Sequence, residues 1–278
     1  MTYAICLCNR FKVALMISIR FNLEQVGGEA PSGFTGFVTR ASFLQLVKEA
    51  DPALSTLLHG GYDATKRMRS FYSLKPLEYS ASKQKAWFEV NFKLSEVARS
   101  TLESLLKATK KQLMIGSAEF LIESLSVKEL EPRTLSQTLE QELESADSLD
   151  LRFKTPTYFS TKSNFKVILP NLLLMFMNAE NDMYIARYAS IPRKHVFNLR
   201  RKLGFTGVQV KSEIVRDGKK LYPGFTGWVK VRWKELEQNE RSTLCLLLAW
   251  GVLFNVGSGR TAGFGVLQVE PCKKAIYK

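Results

Sequence analysis

The sequence is poor in the residues that build metal sites and disulfide frameworks. Its 278 residues include 4 cysteines and 2 histidines. The cysteines, Cys6, Cys8, Cys245 and Cys272, form no CxxC pair. Ligands with this spacing do not make a zinc site, and no disulfide framework is evident. We therefore expect no bound metal and a reducing, cytoplasmic environment.

Long uninterrupted apolar segments are also missing. The N-terminal stretch MTYAICLCNRFKVALMISIRF is apolar, but Arg10, Lys12 and Arg20 interrupt it and no basic residue precedes its first apolar run. It is a poor signal peptide and is too broken to span a bilayer. We expect no membrane segment, and the latter half, Val13–Leu23, predicts the first strand of the fold.

Acidic residues are scarce relative to basic ones. The chain has 40 Lys and Arg against 26 Asp and Glu, a net charge of +14. Residues 1–140 hold 18 basic and 14 acidic residues, whereas residues 141–278 hold 22 and 12. The excess concentrates between Arg193 and Lys234, where Glu213 and Asp217 are the acids. A solvated basic face explains a single cluster, but the bias of the whole chain favours a polyanionic partner, either nucleic acid or an anionic membrane surface.

The hydrophobic pattern predicts two halves with the same order of elements. Each half reads as strand, helix, strand, strand, helix, strand, which is typical of the ferredoxin-like arrangement. The acidic segment SQTLEQELESADS predicts a linker between them. We therefore expect an α+β protein with tandem ferredoxin-like (RRM-like) βαββαβ domains, one covering residues 1–140 and the other residues 141–278.

A glycine-rich stretch, NVGSGRTAGFG, covers Asn255–Gly265. The Leu-rich run Leu244–Phe254 predicts a helix before it, and FGVLQVEP predicts a strand after it. A phosphate-binding loop has the reverse order and carries a Lys and a Ser or Thr after its second glycine, whereas Phe264 follows Gly263 here. These features argue against a cofactor enzyme, and we expect no cofactor.

Three segments resemble a known family. LRFKTPTYFS, YPGFTGWVKVRW and NVGSGRTAGFGVLQV occur in the order seen in the CRISPR-associated repeat-processing endoribonucleases, the Cas-six family of RAMP proteins, and ALSTLLHGGYDATKRMRSFYSLKPL adds a match in the first half. The resemblance implies tandem ferredoxin-like domains that bind CRISPR repeat RNA in a precursor transcript. It implies one metal-free cut per repeat, which leaves a 2′,3′-cyclic phosphate and a 5′-OH. Other CRISPR-associated effector subunits and a second copy of the chain are further partners that it allows.

Metal-free RNA cleavage needs a group that moves protons and a cation for the charge that develops on phosphorus. An imidazole, with an ordinary pKa of about 6.5, suits the first task. His59 ends the first predicted helical segment, and Lys66 and Arg67 follow it closely enough for a loop to return a cation toward the ring. By pattern alone His59 is a helix C-terminal cap, whereas the resemblance implies that it is catalytic.

Members of this family often carry a catalytic tyrosine upstream of the histidine, on the first helix. This chain has Phe37 and Phe43 there, so the role is empty or falls to Arg40, Tyr62 or Tyr72. His195 is a competing base, although its basic neighbours favour an RNA contact.

The predicted RNA-binding residues lie in three groups. The first is the basic segment around His195, the second is the strand GWVKVRW, and the third is the glycine loop, whose backbone N–H groups from Gly257 to Ala262 are suited to phosphates. The full set is Arg193, Lys194, His195, Arg200, Arg201, Lys202, Lys230, Arg232, Gly257, Ser258, Gly259 and Arg260. Two alternatives stay open: the loop only seats the last strand, and Trp228 and Trp233 alternate into the core with the basic residues outside. The same charge and fold also permit a non-catalytic guide-RNA scaffold.

Overall fold

The computed structural model describes residues 16–60, 70–80, 84–108, 112–161, 163 and 165–273. Contacts between residues divide the chain into two compact units. The N-terminal unit holds the described residues through Leu130 together with Gly259–Phe264. The C-terminal unit holds Glu131–Ser258 and the described residues from Gly265 onward. The boundary thus falls ten residues before the one placed after Glu140 from the sequence.

The N-terminal unit is one antiparallel sheet with its helices packed on one face. Its elements are β1 Met16–Gly27, α1 Gly36–Ala50, α2 Pro52–Gly60, β2 Tyr72–Ser80, β3 Lys85–Phe92, α3 Ser95–Lys107, β4 Gln112–Ile115 and β5 Ala118–Leu130. The strand order is β2-β3-β1-β5-β4, with antiparallel neighbours throughout. Without the short edge strand β4, this is the order of a ferredoxin-like βαββαβ sheet.

The alternation of β1 explains how this sheet is built. Ile17, Ile19, Phe21 and Leu23 face the helices and lie in the buried core, while the intervening polar residues face the other way, as the period of two in a strand requires. Phe21 stacks on Phe88 of the neighbouring strand with ring centroids 4.3 Å apart. This packing fixes the register of the two central strands, because a slip by one residue would turn the core side chains outward.

The C-terminal unit repeats the same topology after one additional helix. Its elements are α4 Pro132–Glu144, β6 Ala146–Thr157, β7 Phe159–Ser160, β8 Lys166–Val167, α5 Leu172–Ile185, α6 Arg193–Lys202, β9 Leu203–Asp217, β10 Lys220–Trp233, α7 Gln238–Phe254 and β11 Leu267–Lys273. The main sheet has the order β11-β6-β10-β9, and β7 pairs with β8 separately. The prediction of an α+β protein with tandem ferredoxin-like folds is confirmed.

The segment predicted as a linker is helical in the structure. Residues of SQTLEQELESADS lie in α4, whose buried face includes Leu139 and Leu143. Glu140, on the same helix, accepts hydrogen bonds from Gln238 and Ser242 of α7 at 2.5 and 2.7 Å. The polar composition of this segment therefore reflects the exposed face of an amphipathic helix.

No helix within the described ranges is both long enough and apolar enough to cross a membrane.

Candidate functional site

His59 lies at the C-terminal end of α2, with an exposed side chain. Its backbone carbonyl accepts a hydrogen bond at 3.1 Å from Nη2 of Arg40, which projects from α1. The last carbonyls of a helix lack partners within the helix, and a guanidinium is a favourable donor to them. Arg40 thus ties the end of α2 to α1 and holds His59 where its imidazole is open to solvent.

Tyr72 lies behind Arg40 in the hydrophobic core. Its side chain is 0% exposed and packs against Phe43 and Phe92, with ring centroids 5.6 and 5.9 Å away. Burial raises the pKa of Tyr72, while the neighbouring Arg40 charge opposes the shift. The Tyr72 hydroxyl makes no hydrogen bond of good geometry among the described residues, and its interaction with Arg40 is electrostatic. The structure does not bring Tyr72 to a surface where a substrate could reach it, which corrects its candidacy as a catalytic residue.

Two of the predicted catalytic cations, Lys66 and Arg67, lie outside the described residues, as does Tyr62. Within the described residues, no group of three or more His, Cys, Asp and Glu side chains is placed to hold a metal ion.

Helix α6 carries most of the predicted RNA-binding cations. Val196 and Leu199 are its buried residues, whereas Lys194, His195 and Arg201 are exposed. This separation follows from the helical period, which places residues three apart on one face. The helix therefore presents a row of basic groups to solvent.

Three other basic residues of α6 have partners within the C-terminal unit. Arg193 lies 3.8 Å from Glu180, Arg200 donates to the Leu203 carbonyl at 2.8 Å, and Lys202 pairs with Glu240 at 2.7 Å. The bond to Glu240 is the main cause of a raised pKa at Lys202. These interactions hold α6 in place and reduce the charge that the three residues offer to a partner.

Strand β10 places a tryptophan on the same face as two cations. Val229 and Val231 are buried, so Trp228, Lys230 and Arg232 share the opposite face. The alternative in which both tryptophans alternate into the core is therefore wrong for Trp228, whereas Trp233 lies on the face of Val229 and Val231 and is half-buried. The error arose because Trp228 and Lys230 are two residues apart and must lie on one face of a strand.

The polar groups on that face of β10 are already partnered. The Trp228 indole N–H donates to Gln209 at 2.8 Å. Arg232 and Lys230 lie 2.9 and 3.6 Å from Asp147 and Asp150. The Asp150 charge is the main cause of a raised pKa at Lys230. The face is thus an ion-pair network with an aromatic ring beside it.

The glycine loop joins α7 to β11, so the predicted order of helix, loop and strand is confirmed. The two ends of the loop are hydrogen-bonded within the C-terminal unit. The N–H of Ser258 donates to the Tyr158 carbonyl at 2.8 Å, and the Ser258 hydroxyl accepts from the N–H of Ser160 at 3.1 Å. The N–H of Gly265 donates to Pro156 at 3.1 Å. A Cβ at Gly265 would lie 1.8 Å from the Val256 carbonyl oxygen, so close packing requires glycine there.

The middle of the loop, Gly259–Phe264, packs within the N-terminal unit. Phe264 is 0% exposed and contacts Phe34 and Phe37, with ring centroids 4.8 and 5.5 Å away. Arg260 is 7% exposed, and the Ala262 N–H donates to the Gly259 carbonyl at 2.8 Å.

These contacts correct the expected role of several loop groups. The N–H groups of Ser258 and Ala262 are used inside the protein, and the Arg260 guanidinium is not presented to solvent. The geometry favours the alternative in which the loop seats the last strand.

The sequence patterns did not single out a charged cluster on the N-terminal sheet. Glu89 is buried there, with Arg20, Lys75 and Lys128 within 4.0 Å. Polar residues at alternate positions of β1 were the available signal, but alternation alone does not distinguish a solvated face from a site.

Residues 151–267 match the family model of CRISPR-associated endoribonuclease Cas6. No curated protein matches the chain.

Several solved structures share the fold. A Cas6 product complex is 21% identical with a TM-score of 0.66, and the match covers 94% of this chain and 100% of that one. A second Cas6 product complex is 19% identical with a TM-score of 0.68, covering 92% and 99%. Thermus thermophilus Cas6 is 18% identical with a TM-score of 0.66, covering 93% and 100%. The resemblance to the Cas6 endoribonucleases is therefore confirmed by the family model over residues 151–267, and the fold is shared with solved Cas6 structures over more than nine-tenths of the chain.

Proposed function

We propose that the chain is a metal-independent endoribonuclease that binds CRISPR repeat RNA and cuts precursor transcripts into guide RNAs. The observation that carries this proposal is the exposed imidazole of His59, a residue whose backbone carbonyl accepts a hydrogen bond from Arg40. The chain that carries this residue matches the Cas6 family model over residues 151–267. Solved structures of similar fold are described as Cas6 product complexes, a Cas6 substrate mimic complex and a RAMP protein binding different RNA substrates. These descriptions support RNA as the substrate.

In the proposed reaction the ribose 2′-OH is the nucleophile. It loses its proton to a base and attacks the adjacent phosphorus, and the bond from phosphorus to the 5′ oxygen breaks. That oxygen then takes up a proton, so the products are a 2′,3′-cyclic phosphate and a 5′-OH. We assign one of these proton transfers to His59 and the stabilisation of the charge on phosphorus to Lys66 or Arg67.

Arg40 holds the catalytic group in place in this scheme. Its bond to the His59 carbonyl sets the end of α2, and its charge faces the buried Tyr72 hydroxyl. A side chain that fixes the geometry of a proton-transfer group contributes to rate even when it does not touch the substrate. We therefore assign Arg40 and Tyr72 to positioning.

The RNA-binding surface in this proposal is centred on α6. Lys194, His195 and Arg201 are exposed along one helix, and phosphate neutralisation by such cations dominates affinity for nucleic acids. Arg193 and the face of β10 with Lys230 and Arg232 add charge that is partly compensated by neighbouring acids. A cytoplasmic location and association with other effector subunits, or with a second copy of the chain, complete the proposal.

The deciding experiment incubates the purified protein with labelled CRISPR repeat RNAs in EDTA, including the repeat encoded in the same genome. A single cut with a cyclic phosphate end is expected. His59→Ala should abolish cutting and retain binding, whereas His195→Ala should weaken binding and retain cutting at saturating protein. Binding without cutting by the wild type would favour the non-catalytic guide-RNA scaffold, and loss of cutting only in His195→Ala would reverse the two assignments.

A further inference from the structure

One face of the N-terminal sheet carries an ordered row of charged and polar side chains. The register aligns Lys75 of β2 with Glu89 of β3, Glu89 with Arg20 of β1, and Arg20 with Ser126 of β5. These residues lie on the face opposite the buried core, because the alternate residues of β1 and β3 belong to that core. The row crosses the middle of the sheet, where β1 and β3 are the central strands.

Glu89 is the buried centre of this row. Its side chain is 5% exposed, and Arg20, Lys75 and Lys128 lie 4.0, 2.9 and 3.9 Å from its carboxylate oxygens. Oε2 is itself buried and is held by Lys75, whereas the contacts of Arg20 and Lys128 are with Oε1. The cations nearest to Oε1 lie at 3.9 and 4.0 Å, so Oε1 is the carboxylate oxygen with capacity left for a ligand that donates to it.

The groups beside Glu89 are suited to a flat ligand. The guanidinium of Arg20 lies over the Trp87 ring, 4.0 Å from its centroid, and its buried Nε has no hydrogen-bond partner among the described residues. Asn22 donates both amide hydrogens to the hydroxyls of Ser124 and Ser126, at 3.0 and 3.1 Å. These contacts hold the planar Arg20 guanidinium on the Trp87 ring, beside the hydrogen-bonded side chains of Asn22, Ser124 and Ser126.

A cavity of about 300 Å³ opens between these groups, lined by Arg20, Asn22, Glu89, Ser126 and Lys128. This volume is at the lower end of the range for ligand-binding pockets. The cavity leaves room for a ligand beside the carboxylate oxygen that is less closely paired.

We propose that this cavity binds the base of an unpaired guanosine in the RNA substrate. Guanine is the base that presents two adjacent N–H donors, N1–H and N2–H, next to an acceptor, O6. Oε1 of Glu89 is the acceptor for these donors, and Lys128, 3.9 Å from that oxygen, matches O6. Proteins commonly read unpaired RNA bases in this way, by stacking on aromatic or Arg planes and by bonding to the base edge. The inference rests on the proposed function only in taking RNA as the ligand.

The test measures base preference with short oligouridines that carry one central guanosine, adenosine, cytidine or uridine. Affinities are measured by fluorescence anisotropy in EDTA. The wild type should bind the guanosine oligomer about tenfold more tightly than the others, as expected for one good set of base-edge contacts. Glu89→Gln, which keeps the shape of the side chain, should remove the preference, and Lys128→Ala should reduce it severalfold.

Lys85→Ala is the matched control. Lys85 is a lysine of β3 that pairs with Glu24 and Glu123 and does not line the cavity, so its removal changes the charge as Lys128→Ala does but should keep the preference. Because the readout is a ratio of affinities, a general electrostatic effect cancels. If Glu89→Gln does not fold, Lys128→Ala tests the proposal by itself. The Lys128 side chain is 61% exposed, so its truncation should leave the protein folded.

Equal affinity of the wild type for all four oligomers, a preference for another base, or an unchanged preference in both cavity variants would overturn the proposal. Failure of the proposed function is seen separately, as absence of repeat cleavage by the wild type in EDTA.

Discussion

Replacing Gly263 with alanine tests whether the glycine loop has a structural role or binds RNA. Gly263 has a φ of +79°, and a Cβ there would lie 2.4 Å from Cγ and 3.0 Å from Cδ of Pro76. Gly33 provides a matched control, because its φ is +69° and a Cβ there would meet nothing within 4 Å. Both substitutions place alanine in the left-handed region, but only one forces a collision.

The two costs can be estimated separately. A left-handed backbone costs an ordinary residue about 1–2 kcal/mol, which both variants incur. Overpacking adds about 1–3 kcal/mol at Gly263, because the proline ring is rigid and the segment around it is buried. The expected loss of unfolding free energy is therefore about 1–2 kcal/mol for Gly33→Ala and about 2–5 kcal/mol for Gly263→Ala.

Urea unfolding at 25 °C measures both losses, and repeat-RNA affinity is measured on the folded fraction. The loop is structural if Gly263→Ala is the less stable variant while both bind RNA like the wild type. Equal stabilities combined with weaker RNA binding by Gly263→Ala would refute this reasoning, since the loop would then act through the ligand.

Three further outcomes are expected. Arg260→Ala should lower stability by about 1–3 kcal/mol without changing the salt dependence of RNA binding, because the side chain is 7% exposed; a shallower salt slope would show that it contacts phosphate. Lys194→Ala and Arg201→Ala should each reduce the slope of log affinity against log salt concentration by about 0.7–0.9, as expected for one lost phosphate contact. Lys48→Ala removes an exposed lysine of α1 and should leave that slope unchanged. Equal effects of all three substitutions would mean that α6 is not the RNA surface. Burial raises the pKa of Tyr158 from 10.0 to about 12. The unfolded chain therefore loses this proton first, and stability should fall by up to about 1.4 kcal/mol per pH unit between those values. Tyr158→Phe should flatten that part of the pH profile, and an unaltered profile would exclude Tyr158 as its source.

The order of secondary-structure elements could be predicted because it depends on local patterns. The alternation of apolar and polar residues in β1 and the Leu-rich run of α7 each have a period that a strand or a helix requires. The order of helix, loop and strand around Asn255–Gly265 followed from the same patterns. The linker assignment failed at α4, because a polar composition describes the exposed face of an amphipathic helix as well as a loop.

Only part of the candidate site could be predicted from the sequence. His59 could be singled out because histidine is rare in the chain and this one ends a helical segment. The burial of Tyr72 and Arg260 could not be predicted, since a tyrosine or an arginine near a motif is equally compatible with surface and interior. The cluster around Glu89 draws on β1, β2, β3 and β5, so its members become neighbours only when the strands pair.

The linear sequence by itself determined the basic charge excess, the two ferredoxin-like repeats and the position of His59 at the end of a helical segment. These features depend on composition or on contacts between residues close in the chain. Only the tertiary structure decided which polar side chains are buried, that the middle of the glycine loop packs within the N-terminal unit, and that a carboxylate and three cations meet on one sheet face. Those outcomes depend on pairing between distant strands, where the free energy of burial rather than any local pattern selects the neighbours.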